Sequence, residues 1–327
     1  MNRDIKLDIL KVIGLLCIIL AHVNPPQILF QVRNFDVILM LLISSCLFFK
    51  SKKNISSVKE YFKYVKKRVV RLLFPTWIFL IIYFLLNIFL KFANYDFKTI
   101  IKSFALFKSG TIGYVWIIRI YILAAIILPI YKFFYDKNSM KTTITVYIVY
   151  IIYEILAITG IFNITILEYL FAYIAPIILI VHLSKELVKC EKRKVLNLAS
   201  VNFIIFIFVG LLLYIKNGSI QPTQIMKYPF RVYYISYSLF ISFILFFTIN
   251  NIKIKSKICE RLINFISTNS LWIYLIHIIF VQIIDYKLWY INFIIVVLLT
   301  LLAVKIKNYI LSMKCFKRIN IIKMLNG

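Results

Sequence analysis

The chain of 327 residues is 62% hydrophobic and 17% aromatic, with a mean hydropathy of +0.91. That composition excludes an ordinary soluble domain and marks a polytopic membrane protein. A net charge of +28 would suggest nucleic acid in a soluble chain, but the cations gather at the ends of apolar runs, where topology accounts for them and no nucleic-acid partner is needed. Five scattered cysteines, Cys17, Cys46, Cys190, Cys259 and Cys315, have no paired spacing and imply neither disulfides nor a metal site.

Ten spans are predicted, an all-α fold in a single transmembrane domain over residues 1–327. They run from Asp8 to Val23, Phe35 to Phe49, Val69 to Leu90, Ile112 to Phe134, Thr143 to Gly160, Ile164 to Leu183, Leu196 to Ile215, Val232 to Ile249, Ser270 to Ile284 and Trp289 to Val304. With both ends placed in the cytoplasm, the inner side holds 30 of the 40 Lys and Arg, counting those in the adjoining turns, and the outer side 9, with Arg119 inside a span. That asymmetry predicts cytoplasmic termini. Arg3 and Lys6 before an apolar core resemble the start of a signal peptide, but no A-x-A-like site follows, so the first span is expected to be retained.

The first span carries Asp8, Lys11 and His22. At about 100° per residue Lys11 and His22 lie within about 20° of one another and Asp8 and His22 within about 40°, on one face, while a rise of about 1.5 Å per residue separates Asp8 from His22 by about 21 Å. The three form the two ends of a polar track. Charge at such depth points to function, against the plainer reading of an interfacial Asp8–Lys11 pair with His22 capping the outer end. Asp36 opens the second span, where it either orients His22 or is exposed at the interface.

The cluster from Lys50 to Arg71 holds nine cations beside the cytoplasmic leaflet, where anionic lipid attracts such segments. Within it Arg68 and Arg71, three apart, present two guanidinium forks on one helical face, suited to phosphate; the plainer reading is a positive-inside anchor. Further along, Arg119, Glu154 and Glu168 fall near the outer ends of their spans, where Arg119 is expected to pair with one of the glutamates or the group to contact a substrate. His277 lies mid-span, either a substrate contact or a buried histidine bonded to a neighbouring helix. Tyrosines such as Tyr61, Tyr64 and Tyr95 read as interfacial belt residues.

Taken in order, these segments resemble the acyltransferase 3 family of membrane acyltransferases. Its first-span signature, L-D-x-L-R-x-x-A-x-x-x-V-x-x-x-H, is matched in register by Leu7, Asp8, Leu10 and His22, with Lys11, Gly14 and Ile18 in place of arginine, alanine and valine. The stretch with Ser44-Ser45 is similar to F-F-x-x-S-G-F. Arg68, Arg71, Leu72 and Pro75 match R-x-x-R-L-x-P, Trp116 to Tyr121 resembles W-F-L-x-A-L, and Ser270 to His277 is similar to S-L-x-I-Y-L-x-H.

The resemblance implies an enzyme of the cytoplasmic membrane that moves an acyl group, usually acetyl, from cytosolic acyl-CoA to a hydroxyl of an envelope or exported polysaccharide or its lipid-linked precursor. It implies acetyl-CoA or another acyl-CoA as donor substrate and no metal. By resemblance His22 is the catalytic histidine, as general base or as an acyl carrier. Arg68 and Arg71, with Lys11, would hold CoA, and Asp36, Arg119, Glu154 and His277 are candidates for the acceptor. Readings from other classes are a transporter or flippase of lipid-linked glycan, or a glycan polymerase.

Overall fold

A computed structural model describes residues 4–51, 55, 57–189, 191–252 and 254–313. Cys190, Cys315 and most of the two tails that bear on the orientation lie outside the described residues, and Cys17, Cys46 and Cys259 are free thiols. Among the described residues the secondary structure is helical throughout. In chain order the helices are α1 (Ile5–Leu20), α2 (Gln27–Val32), α3 (Asp36–Lys50), α4 (Val58–Leu90), α5 (Phe97–Phe104), α6 (Trp116–Lys137), α7 (Ser139–Ile158), α8 (Thr165–Leu170), α9 (Ile174–Lys189), α10 (Lys192–Asn217), α11 (Val232–Ile249), α12 (Lys257–Thr268), α13 (Ser270–Ile283) and α14 (Trp289–Ser312), with short 3-10 turns before α8 and α11.

Among the described residues eight helical segments are long and apolar enough to cross a membrane, and α12 with α13 would make a ninth if a pair bent by 80° counts as one span. Ten had been expected. The difference lies at the first and ninth segments: α1 has 16 residues, below the roughly 20 that a membrane crossing takes, and the chain turns sharply between Thr268 and Ser270. The α4 helix departs from expectation in the other direction. It begins at Val58, eleven residues before the apolar run, because Ser57 and Glu60 form a reciprocal capping box and the lysines that follow are good helix formers. Its 33 residues make a rod of about 50 Å, longer than the roughly 30 Å hydrocarbon layer, so one end stands clear of the lipid.

The helix most enclosed by the bundle is α3, eleven of whose residues are buried. It packs on α1, α6, α9 and α11. By contrast α10 buries only Val195 and Ala199 and packs on α11, leaving the rest of its surface to lipid. Lipid tails are as apolar as leucine, so burial of apolar surface contributes little here, and close packing with interhelical hydrogen bonds holds the bundle together. One end is tied by the Lys50–Asp4 ion pair, by Lys6 Nζ on Asn250 Oδ1 at 3.1 Å, and by Ser267, whose hydroxyl donates to Asp8 while its carbonyl accepts from Lys11 at 2.8 Å. The opposite end is tied by Asn34 on Thr223 at 2.9 Å and Tyr237 on the Val32 carbonyl at 2.7 Å.

Candidate active site

Two cavities lie between these ties. The first, about 360 Å³, is enclosed by α1, α3, α4, α6 and α13 and has a basic corner of Lys11, Arg68 and Arg71 against apolar walls such as Leu15, Met40 and Leu72. The second, about 270 Å³, lies toward the opposite end and is lined by His22, Arg33, Asp36, Tyr114, Trp116 and Lys227 among others. Ile18, Ile117 and Tyr274 line both, so the cavities share a wall three side chains wide.

Local sequence explains each placement. Pro75 supplies no amide to the carbonyl of Arg71, and Pro129 none to that of Ala125. Arg71 and Ala125 both line the first cavity, the setting in which a membrane helix tolerates an interrupted ladder. Gly14 lets α1 approach α3: a Cβ there would fall 2.9 Å from Met40 Cγ. At the far end of α1 the ladder tightens, with the His22 amide donating to the Ile19 carbonyl at 3.0 Å, and Asn24 at φ 52° followed by Pro25 and Pro26 stops the helix. His22 therefore sits just beyond the helix, facing the second cavity.

The His22 ring lies edge-on to Tyr114 at 4.7 Å and stacks on His277 at 5.5 Å. His277 is fully buried, and its Nδ1 faces the Tyr274 carbonyl, which only accepts, so Nδ1 carries the proton. In the neutral ring Nε2 then holds a lone pair, and it has no partner among the described residues. The wall is fixed from behind: the Tyr274 hydroxyl donates to the Tyr114 carbonyl, and Gln282 Nε2 donates to the Tyr114 hydroxyl at 2.9 Å.

Asp36, 1% exposed, does not sit at an open interface, and its hydrogen bonds go to partners other than His22. Its Oδ2 accepts from Arg33 Nη1 at 2.7 Å, and its Oδ1 from the Val37 amide at 2.7 Å and from Lys227 Nζ at 3.4 Å. Asn34 Oδ1 takes a second bond from Lys227 at 2.9 Å. Arg33 and Lys227 were missed in the sequence; the signal for Arg33 was the run Arg33-Asn34-Phe35-Asp36 at a predicted span start, whereas Lys227 had none. Gln224 Oε1, buried in the same lining, is without a partner among the described residues.

Of the residues singled out in the sequence, Lys11, Arg68 and Arg71 come together at one cavity, and His22, Asp36 and His277 at or beside the other. Arg119 and Glu154 line neither. The expected pairing of Arg119 with a glutamate does not form. Glu154 accepts from Arg231 Nε at 2.9 Å, and Glu168 lies 3.8 Å from Lys108. The Arg119 guanidinium instead lies over the rings of Tyr169, at 4.3 Å, and Tyr173, at 5.4 Å. Arg231, which caps α11, also donates to the Ala157 carbonyl at 3.0 Å, and this second bond fixes it beside Glu154 in the place foreseen for Arg119.

A family model described as acyltransferase domain matches residues 4–306. No curated protein and no solved structure matches.

Proposed function

Since the chain belongs to the acyltransferase 3 family, we propose that it takes an acetyl or other short acyl group from acyl-CoA at the first cavity and places it on a glycan hydroxyl at the second. The acceptor is an envelope or exported polysaccharide or its lipid-linked precursor, the protein resides in the cytoplasmic membrane, and both termini face the cytosol. One observation carries this reading: a basic cavity and a histidine-bearing cavity meet at a single wall.

In this reading Lys11, Arg68 and Arg71 hold the phosphates of CoA at the cytosolic side, the guanidinium forks giving bidentate, charge-assisted bonds. The apolar walls receive the pantetheine arm and aim the thioester at Ile18, Ile117 and Tyr274. From the other side His22 takes the proton of the acceptor hydroxyl as its oxygen bonds to the thioester carbonyl carbon. The carbon–sulfur bond breaks, and the proton on His22 passes to the departing thiolate, leaving an acyl ester and CoA thiol. His277, its Nδ1 proton committed to Tyr274, fixes the plane of the His22 ring by stacking.

Membranes containing the protein are expected to move radiolabel from acetyl-CoA into the glycan fraction, and His22→Ala at equal protein level to stop it. Undiminished transfer by His22→Ala would remove the assigned role of His22. An absence of transfer by wild type, with glycan chain length altered on deletion, would favour a polymerase.

A further inference from the structure

The second cavity holds more positive charge than its own residues neutralise. Beside His22, its ionisable lining is Arg33, Lys227 and Asp36 with three tyrosines, and the three charged side chains are each 4% exposed or less. The single carboxylate of Asp36 serves both cations, Arg33 at 2.7 Å and Lys227 at 3.4 Å, and it also accepts from the Val37 amide. One cation thus remains without a counter-charge among the described residues, on side chains buried from bulk solvent, where an unbalanced ion is costly unless an anion joins it.

The remaining contacts of the two cations hold them without cancelling their charge. Arg33 lies over the Phe30 ring at 4.1 Å, and Lys227 lies 5.9 Å from the Tyr228 ring and 5.6 Å from that of Tyr234. Arg33 Nε is buried with no partner among the described residues. Burial lowers the Lys227 ammonium to about 8, with Asp36 working against the fall and Arg33 adding to it, so the group stays protonated at neutral pH.

Resting on the acyltransferase reading, we propose that the second cavity is an acceptor subsite for an oxyanion: the hydroxyl that receives the acyl group belongs to a molecule bearing a carboxylate or phosphate held by Arg33 and Lys227. With His22 in the same lining of about 270 Å³, the anion and the hydroxyl sit on the same or adjoining units of the acceptor. A neutral sugar leaves the cation pair uncovered and is discriminated against, because a site built for a polar partner disfavours an analogue that lacks it.

The purified protein, with Trp77, Trp272 and Trp289 replaced by phenylalanine so that Trp116 in the cavity lining is the emitter, is titrated in lipid nanodiscs with glucuronate, glycerol phosphate, glucose and glycerol. The same four compounds are offered as acceptors of label from acetyl-CoA. Expected is binding of at least one anion about tenfold or more tighter than its neutral counterpart, a difference of about 1.4 kcal/mol or more. Glucuronate alone identifies a carboxylate, glycerol phosphate alone a phosphate, and both the shared chemistry. Lys227→Met erases the preference, whereas Asp36→Asn, which leaves both cations bare, strengthens anion binding; a folding defect would weaken both. Equal binding of anionic and neutral compounds, or a preference untouched in Lys227→Met, overturns the subsite even if acetyl transfer is found. Anion binding with the variant pattern above, but no transfer in any arm, upholds the anion site and overturns the acyltransferase reading.

Discussion

The two cavities keep their cations in opposite states. Arg71 is exposed, Arg68 half-buried, Lys11 half-buried on the Ser267 carbonyl, and no acid among the described residues lines their cavity, whereas Arg33 and Lys227 are buried and bound to Asp36. Exposed cations stay hydrated and let a multiply charged ligand arrive and leave. Buried cations on a shared carboxylate are held in one geometry, and they read a ligand rather than merely attract it. On the proposed reading, a donor that exchanges with the cytosol suits the first arrangement, and an acceptor that must present one hydroxyl suits the second.

The contrast can be broken most strongly at the junction. His22→Ala is expected to lower acyl transfer by a factor on the order of 10²–10⁴, the usual worth of a placed general base, with the KM for acyl-CoA unchanged; a labelled-transfer assay reads both, and a fall in KM alone would contradict the role. Next come the exposed cations. Arg68→Ala with Arg71→Ala is expected to raise the KM for acyl-CoA about tenfold, part of the full charged-bond value being lost to solvent, while the KM for the acceptor holds. A rise in the acceptor KM instead would mean that the cavities have been assigned the wrong way round.

A smaller effect sharpens the buried side. Lys227 carries its charge below about 8 and loses it above, so the KM for an anionic acceptor is expected to climb as pH rises through that value, and to be flat there in Lys227→Met. Because its folded value lies below the ordinary 10.5, the unfolded chain binds more protons between the two, and thermal stability is expected to rise with pH across that window. The least effect belongs to Gly14→Ala. The new methyl would displace the flexible Met40 side chain toward the first cavity, with a cost of about 1 kcal/mol by thermal unfolding and a slight rise in the KM for acyl-CoA.

How much was legible depended on sequence distance. The span from Val232 to Ile249 and the starts at Ser270 and Trp289 coincide with helices, since an apolar run reports its own burial. The start of α4 was obscured because Lys59 to Arg68 interrupt the hydropathy, although Ser57 and Glu60 spell a capping box. His22 and the Arg68–Arg71 pair, which line the two cavities, stood out in the sequence through motifs on single segments. The Lys227–Asp36 bond joins residues 191 apart, and the His22–His277 stack crosses an even longer stretch of chain; no local period carries such pairings. Arg119 shows the limit from another side, for formal charge in the sequence named two possible partners, Glu154 and Glu168, and the packed rings of Tyr169 and Tyr173 took their place.

On the proposed reading the three-residue wall also has an electrical duty. In a membrane that stores energy as a voltage, each elementary charge that slips through costs about 2.3 kcal/mol per 100 mV, and back-to-back openings invite such a short circuit. Two isoleucines and a tyrosine whose hydroxyl is already bonded to the Tyr114 carbonyl offer no standing relay for hopping protons, so a proton crosses only as the acyl unit crosses the other way, from His22 to the thiolate. An acyl unit that is itself uncharged is the cargo such a plug can admit while the cell's battery stays charged.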